Sequence, residues 1–295
     1  MIQYPDLAIE LIDAREYDFA VNILRKVFRK IGFIEVPVQH RISILAACEN
    51  PASIATYAYG GRVWPLPQTG QMWLEWELLR NPKAKGFYCI STSYRNEYDV
   101  IPGRHNRIFP MFEFETHGTI DDLEKLERKI LSRIGFRNHP ESLGDMSSYP
   151  AVNYDSLARR FSTVEIDADH EMMIDADFGH VVLLKNFPEH TSPFWNMKRN
   201  NLGTHANKID VIINGIETIG SAERSCDPIQ MRHSFETISG GNYAKMLYYQ
   251  FTKERVLAEL DAFLALDFFP RVGGGIGMNR FIRALKLQGI MPEFK

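Results

Sequence analysis

Residues 93–115, SYRNEYDVIPGRHNRIFPMFEFE, decide how the chain is read. The flanking segments 86–94 and 108–115 have the aromatic and β-branched composition of strands, and the polar stretch 96–107 between them carries Pro102 and Gly103. Two such segments around such a stretch predict a long antiparallel hairpin. Arg95, Glu97, Arg104, His105 and Arg107 crowd on and around it, a density of cations suited to polyphosphate. Taken alone, the same cluster reads first as a solvated charged loop.

Three helices frame the hairpin. Over 14–31, Phe19, Ile23, Leu24, Val27, Phe28 and Ile31 recur at helical spacing. A second helix starts at Thr119, with Asp122 where a capping-box acid belongs, and buries Leu123, Leu126, Ile130 and Ile134. A third covers 252–266 through Val256, Leu257, Leu260, Phe263 and Leu264. Segments 180–184 and 210–219 are further strand candidates, so strands are not followed one by one by helices. The pattern predicts one α+β domain, an antiparallel β-sheet with helices held to one side. No repeat or Pro/Gly/Ser linker divides the 295 residues, and the domain is expected to span 1–295.

The formal net charge of -3 removes the overall basic excess that grips a nucleic-acid backbone, so any polynucleotide would need a local patch. Cys48, Cys89 and Cys226 are odd in number and form no CxxC pair, which predicts reduced core thiols rather than disulfides or zinc. No run approaches the roughly 20 apolar residues of a membrane span, and the acid-rich start is unlike a secretory leader; a cytoplasmic protein is expected.

Two more clusters carry chemistry. GGGIGMNR, 273–280, reads as a glycine-rich turn opening a helix, where backbone can approach a ligand and Arg280 projects beside a helix N-terminus. It lacks the β-α-β context of a dinucleotide fingerprint. Asp210 and Glu217 lie seven apart in DVIINGIETIGSAERS, 210–225. An odd separation puts strand residues on opposite faces, so the two carboxylates meet one cation only if a turn or bulge intervenes. Asn214-Gly215 is such a turn signal. A carboxylate pair completed by phosphate oxygens suits magnesium; without a turn, the pair is simply two exposed acids.

Taken in order, these pieces resemble the three signature motifs of class II aminoacyl-tRNA synthetases, most closely the aspartyl/asparaginyl subgroup and its ammonia-dependent asparagine synthetase relatives. Residues 30–36, KIGFIEV, look like the dimer-forming motif 1, with Pro37 two positions earlier than usual. The 93–115 stretch resembles motif 2, with a loop one residue longer and Ile108 in place of a common glutamate. GGGIGMNR resembles motif 3, with Asn279 in place of the usual acid. QTGQMWLE, 68–75, is similar to the asparaginyl-type SGQLxxE element, and aspartyl enzymes carry lysine where this chain has Leu74. NFPEHTSPFWNMK, 186–198, resembles the FP…PFYM segment, and 210–224 the D-(x)6-E-IIGGSQR stretch.

The resemblance implies a class II synthetase-type catalytic domain using ATP and Mg2+. It places Arg95 on the ATP α-phosphate and the substrate carboxylate, Glu97 on the adenine amino group, Arg104 or His105 on the outer phosphates and Phe109 on the adenine face. Arg280 falls on the γ-phosphate, and Asp210 and Glu217 become magnesium ligands. Gln71 and Glu75 belong to the substrate element, with Gln71 on the ammonium, and Arg224 grips the amino-acid side chain. A homodimer is implied as well.

The subgroup's synthetases carry an N-terminal anticodon-binding barrel of about 100 residues, whereas the motif 1 helix here begins near residue 14. That spacing points to an AMP-forming ligase that activates aspartate or a similar amino acid and transfers it to ammonia or a small amine, with tRNA disfavoured. If Arg224 holds the α-carboxylate, the side chain is activated and asparagine forms; if it holds the side chain, an aminoacyl-adenylate results. The alternatives are an aminoacyl ligase acting on tRNA, a protein or a small molecule, and an inactive synthetase-like binding or regulatory module.

Overall fold

The computed structural model describes residues 11–37, 43–46, 50–97, 106–139, 141 and 146–294. Its strands are β1 Ile34–Glu35, β2 Thr56–Tyr59, β3 Arg62–Pro65, β4 Gly86–Tyr94, β5 Ile108–His117, β6 Ala151–Asn153, β7 Val181–Pro188, β8 His205–Ile213, β9 Ile216–Glu223 and β10 Arg271–Gly277. The expected hairpin is present as β4 and β5, which pair from Gly86 opposite Thr116 to Tyr94 opposite Ile108. It sits inside an eight-stranded sheet of order β1-β4-β5-β10-β9-β8-β7-β6, while β2 and β3 form a separate ribbon. Pairing is antiparallel except where β1 joins β4 and β6 joins β7. The α+β expectation holds.

Alternation along β5 splits the sheet's two faces. Phe112 and Phe114 point to one side, Glu113 and Glu115 to the other, and all four are fully buried. On the aromatic side lie α1 (Ala14–Lys30), α3 (Ile120–Ile134) and α9 (Met278–Leu287). Phe28 of α1 anchors this layer, its ring centroid 4.9 Å from Phe112, 5.3 Å from Phe114 and 5.8 Å from Tyr88. Burying a side chain of that size contributes roughly 1.5–3 kcal/mol. The cap expected at Thr119 is present, Asp122 accepting from its N–H and hydroxyl at 3.0 Å each, and Asp13 caps α1 by accepting from the N–H groups of Arg15 and Glu16.

Helices are not confined to that face. On the opposite side α2 (Gln71–Arg80) packs over β4 and β5, α4 (Tyr154–Phe161) and α5 (Ala168–Phe178) cover the β7 edge, and α6 (Pro228–Thr237), α7 (Asn242–Phe251) and α8 (Lys253–Leu264) form a second apolar cluster with α2. The helix expected over 252–266 is α8, two residues shorter at its C-terminal end. These elements ring the polar face and leave its centre open.

Two local expectations change. The segment 210–219 is not one strand but the turn of a hairpin: β8 and β9 meet at Asn214 and Gly215, with φ of 49° and 74°. The glycine run is not a turn either. It forms β10, the strand between β5 and β9. A Cβ on Gly273 would lie 1.7 Å from Glu115 Oε2, and one on Gly274 would lie 2.6 Å from Ser221 Cβ. Gly273 makes room for the Glu115 carboxylate to cross the sheet surface, and Gly274 for the close approach of Ser221 on β9. Of the cysteines, Cys89 is a buried free thiol as expected, Cys226 is exposed, and Cys48 lies outside the described residues.

Candidate active site

The open centre of the polar face is a cleft of about 820 Å3, in the size range of ligand sites. Strand register sets its floor. Glu113, Gly275, Gly220, Asp210 and Leu184 stand opposite one another across β5, β10, β9, β8 and β7 in one row; Glu115, Gly273, Ala222 and Lys208 form the next. Arg224 lies two residues beyond Ala222, just past the end of β9. Gly and Ala at the middle of these rows leave the ligand's volume free, and charged side chains enter from the sides.

Asp210 and Glu217 reach that floor through both a turn and a bulge. Register shifts between Val211 and Ile212, which pair with Ile219 and Glu217, so Thr218 is an extra residue. The bulge moves Glu217 onto the cleft face, which a regular strand would deny it. A Cβ on Gly220 would be 3.0 Å from Glu217 Oε1 and 3.5 Å from Asp210 Oδ1, so both carboxylates lean over this one glycine. Glu217 is held by its N–H donating to Glu171 Oε2 at 2.8 Å and by Arg280 Nη1 donating to its carbonyl oxygen at 2.7 Å. Arg283 Nη1 donates to the Asn214 carbonyl at 3.1 Å, so α9 grips the hairpin tip twice.

Asp210 Oδ2 accepts from Lys208 Nζ at 2.7 Å, while Oδ1 is buried without a hydrogen-bond partner among the described residues. Burial pushes the Asp210 carboxyl up to about 8 against the pull of Lys208, and the Glu217 and Glu171 charges push the same way. An orphaned carboxylate oxygen beside a second carboxylate fits a divalent cation. Among the described residues no group of three or more His, Cys, Asp or Glu is clustered as a metal site, so ligand oxygens would complete the shell.

One end of the cleft is a buried polar network. Thr69 hydroxyl, Gly70 N–H (2.7 Å) and Ser91 hydroxyl all donate to Glu113, which fixes the start of α2. Gln71, its first residue, donates from Nε2 to the Gly274 carbonyl and accepts from Arg224 Nη2, each at 2.6 Å. Arg224 also contacts Glu115 at 3.3 and 3.4 Å and approaches Glu75 at 3.7 Å. Burial raises the Glu115 carboxyl; Arg224 opposes that, and the neighbouring Glu75 charge adds to it.

At the other end Arg95 stacks over Phe109, 5.4 Å from guanidinium carbon to ring centroid, and lies 4.0 Å from Glu97 Oε1. Its N–H donates to the Arg107 carbonyl at 2.7 Å. The cleft thus gathers Gln71, Arg95, Glu97, Phe109, Asp210, Glu217, Arg224 and Arg280 from the expected set. Arg104 and His105 lie outside the described residues.

Glu75 does not line the cleft. It is fully buried one helical turn behind Gln71, accepting from Arg271 Nε at 3.0 Å and Nη2 at 2.7 Å and from Asn196 Nδ2 at 2.5 Å. Four residues after Gln71 it lies on the same side of α2 but one turn deeper, so it backs Arg224 from below and does not open into the cleft. Leu74 packs with Leu78, Phe87 and Cys89 in the core and does not line the cleft. Lys208, Glu113, Glu171 and Arg283 also line the cleft and were not expected there. Lys208 shares a face with Asp210 by simple strand alternation, a readable signal; Glu171 arrives from α5 and had none.

Residues 14–289 match the family model described as tRNA synthetases class II (D, K and N). The chain belongs to this family. Among curated proteins, the cytoplasmic aspartate–tRNA ligase of Mus musculus is 22% identical over 289 residues, covering 88% of this chain and 54% of the relative. The chain therefore spans about half the length of that relative.

Among solved structures, asparaginyl-tRNA synthetase from Pyrococcus horikoshii complexed with asparaginyl-adenylate has a TM-score of 0.74 at 20% identity, over 94% of this chain and 65% of that chain. A putative aspartyl-tRNA synthetase from Leishmania major Friedlin has a TM-score of 0.68 at 17% identity, over 94% and 62%. At these identities the structural likeness establishes the fold alone. No helix among the described residues is long and apolar enough to cross a membrane.

Proposed function

We propose that this chain activates a carboxylate of aspartate or a similar amino acid with ATP, forming an acyl-adenylate and pyrophosphate, and transfers the acyl group to ammonia or a small amine. One observation carries the activation step: Arg95, Arg280, the Asp210/Glu217 pair and the Gln71–Arg224 network, distant in sequence, open into a single cleft. A carboxylate oxygen of the substrate attacks the α-phosphorus as the bond to the bridging oxygen breaks and pyrophosphate leaves. Arg95 spreads the charge at the α-phosphate, Arg280 holds the departing phosphates, and Phe109 supports the adenine. Asp210 and Glu217 would hold magnesium, which when bound supplies positive charge to the phosphate oxygens. Gln71 and Arg224 hold the remaining groups of the amino acid, stiffened by Glu115 and Glu75.

The ammonia acceptor rests on the resemblance of the ordered motifs, taken together, to the aspartyl/asparaginyl subgroup with its ammonia-dependent asparagine synthetase relatives, and a homodimer on that of residues 30–36 to motif 1. A cytoplasmic location is proposed alongside them.

The test is ATP–pyrophosphate exchange and AMP release across the twenty amino acids, with and without ammonia, amines and tRNA. Aspartate-dependent exchange with asparagine accumulating only in ammonia is expected. Stable transfer to tRNA or a protein instead replaces the acceptor assignment, and absence of exchange with every amino acid favours a binding module.

A further inference from the structure

We propose that a second cavity, behind α2, binds a small organic cation: an ammonium group carrying an apolar body. The inference goes beyond the activation reading and does not depend on it.

The cavity holds about 270 Å3 between α2, α8 and the β2–β3 ribbon, and Thr69 stands in the wall it shares with the cleft. Side-chain direction divides α2 between the two spaces. Gln71 opens into the cleft, while Met72, Trp73 and Trp76 line the cavity. Tyr57 of the ribbon and Phe263 of α8 complete an aromatic lining. Tyr57, 36% exposed, and the exposed Ala262 mark where the cavity meets solvent.

Glu259 is the one charged side chain among the described residues that line this space. Its carboxylate accepts from the Ser43 hydroxyl and from the N–H groups of Ile44 at 2.9 Å and Leu45 at 3.2 Å, all neutral donors. They fix the carboxylate in place and leave its charge unbalanced. Among the described residues Glu259 forms no ion pair. Arg255, one turn earlier on α8, is turned to the ribbon instead: its guanidinium carbon lies 4.6 Å from the Trp64 ring centroid, and it donates to the Val63 carbonyl at 3.0 Å. A part-buried carboxylate attracts positive charge more strongly than one in bulk water, and aromatic rings favour the same sign. The apolar remainder of the lining suits the body of such a ligand.

Calorimetric titration with phenethylammonium, 2-phenylethanol and phenylacetate tests this, since the three share a ring and differ in charge. In wild type the cation should bind with a Kd on the order of 1 mM, the alcohol at least about tenfold more weakly and the anion not at all. Glu259→Gln keeps an oxygen to accept from residues 43–45 but loses the charge, and should bring the cation to the alcohol's affinity. Ala262→Trp, at an exposed helical position, should block the mouth and abolish binding with the circular dichroism spectrum unchanged; it carries the test if Glu259→Gln does not fold.

Equal affinity for the three ligands, or no saturation by phenethylammonium, overturns the site. So does cation binding that is the same in wild type and Ala262→Trp, which places the ligand in the catalytic cleft.

Discussion

Arg280, the third residue of α9, donates to the Glu217 carbonyl oxygen and lies 3.6 Å from Glu217 Oε2, so one guanidinium both props the bulge and faces the phosphate end of the cleft. Its stability contribution is small, about 1 kcal/mol for a partly exposed hydrogen bond, whereas its transition-state contribution is expected to be far larger. Arg280→Ala should lower ATP–pyrophosphate exchange by about 10²-fold or more with little change in the urea midpoint; equal exchange in the variant removes the assignment. At the same scale Glu75 shows how a residue in a recognisable motif can serve by supporting another: the pattern of residues 68–75 is legible, but packing against Arg271 and Asn196 decides that the turn carrying Glu75 is buried.

At the level of elements, α3 presses a carboxylate against the underside of the site. Glu127 is fully buried, and Oε1 accepts from the Ser221 hydroxyl at 2.6 Å, on the face of β9 opposite Gly220. Burial raises its carboxyl to about 8, the Ser221 bond lowers it somewhat and the Asp210 charge raises it again. The folded value lies above the unfolded one, so the fold favours the neutral acid. Stability from this group is complete below the ordinary carboxylate range and declines as pH rises through about 8. Glu127→Gln should flatten that decline. Urea midpoints at pH 6 and pH 9 should differ less in the variant than in wild type, and an unchanged difference means Glu127 does not cause it.

At the scale of the whole molecule, the β1 edge of the sheet bears on assembly. Ile34, half exposed at 51%, lies on β1, and Glu35 beside it binds Arg25 Nη2 at 2.6 Å, Arg29 Nη2 at 3.0 Å and the Tyr88 hydroxyl at 3.0 Å. This ties an outward apolar residue to a rigid support where residues 30–36 resemble the dimer-forming motif. Sedimentation at micromolar concentration should show a dimer, and Ile34→Asp should shift it toward monomer while leaving the circular dichroism spectrum unchanged. A wild type that sediments as a monomer removes the dimer assignment.

What the chain's residues determined unaided was local or periodic: α1 from its apolar spacing, the Thr119 cap, the β4–β5 hairpin, and the candidate cations and acids, each of which announces itself by type and order. They did not show that the glycine run is a strand, because its glycines answer to Glu115 and Ser221 on neighbouring strands rather than to a local turn. Nor did they place Asp210 and Glu217 on one face, since the Asn214-Gly215 signal allows the hairpin but the extra residue Thr218 is defined only by pairing register. Tertiary structure alone decided which charged groups share the cleft. Separation along the chain says nothing about distance across a sheet, and burial among those neighbours sets the charge each group carries.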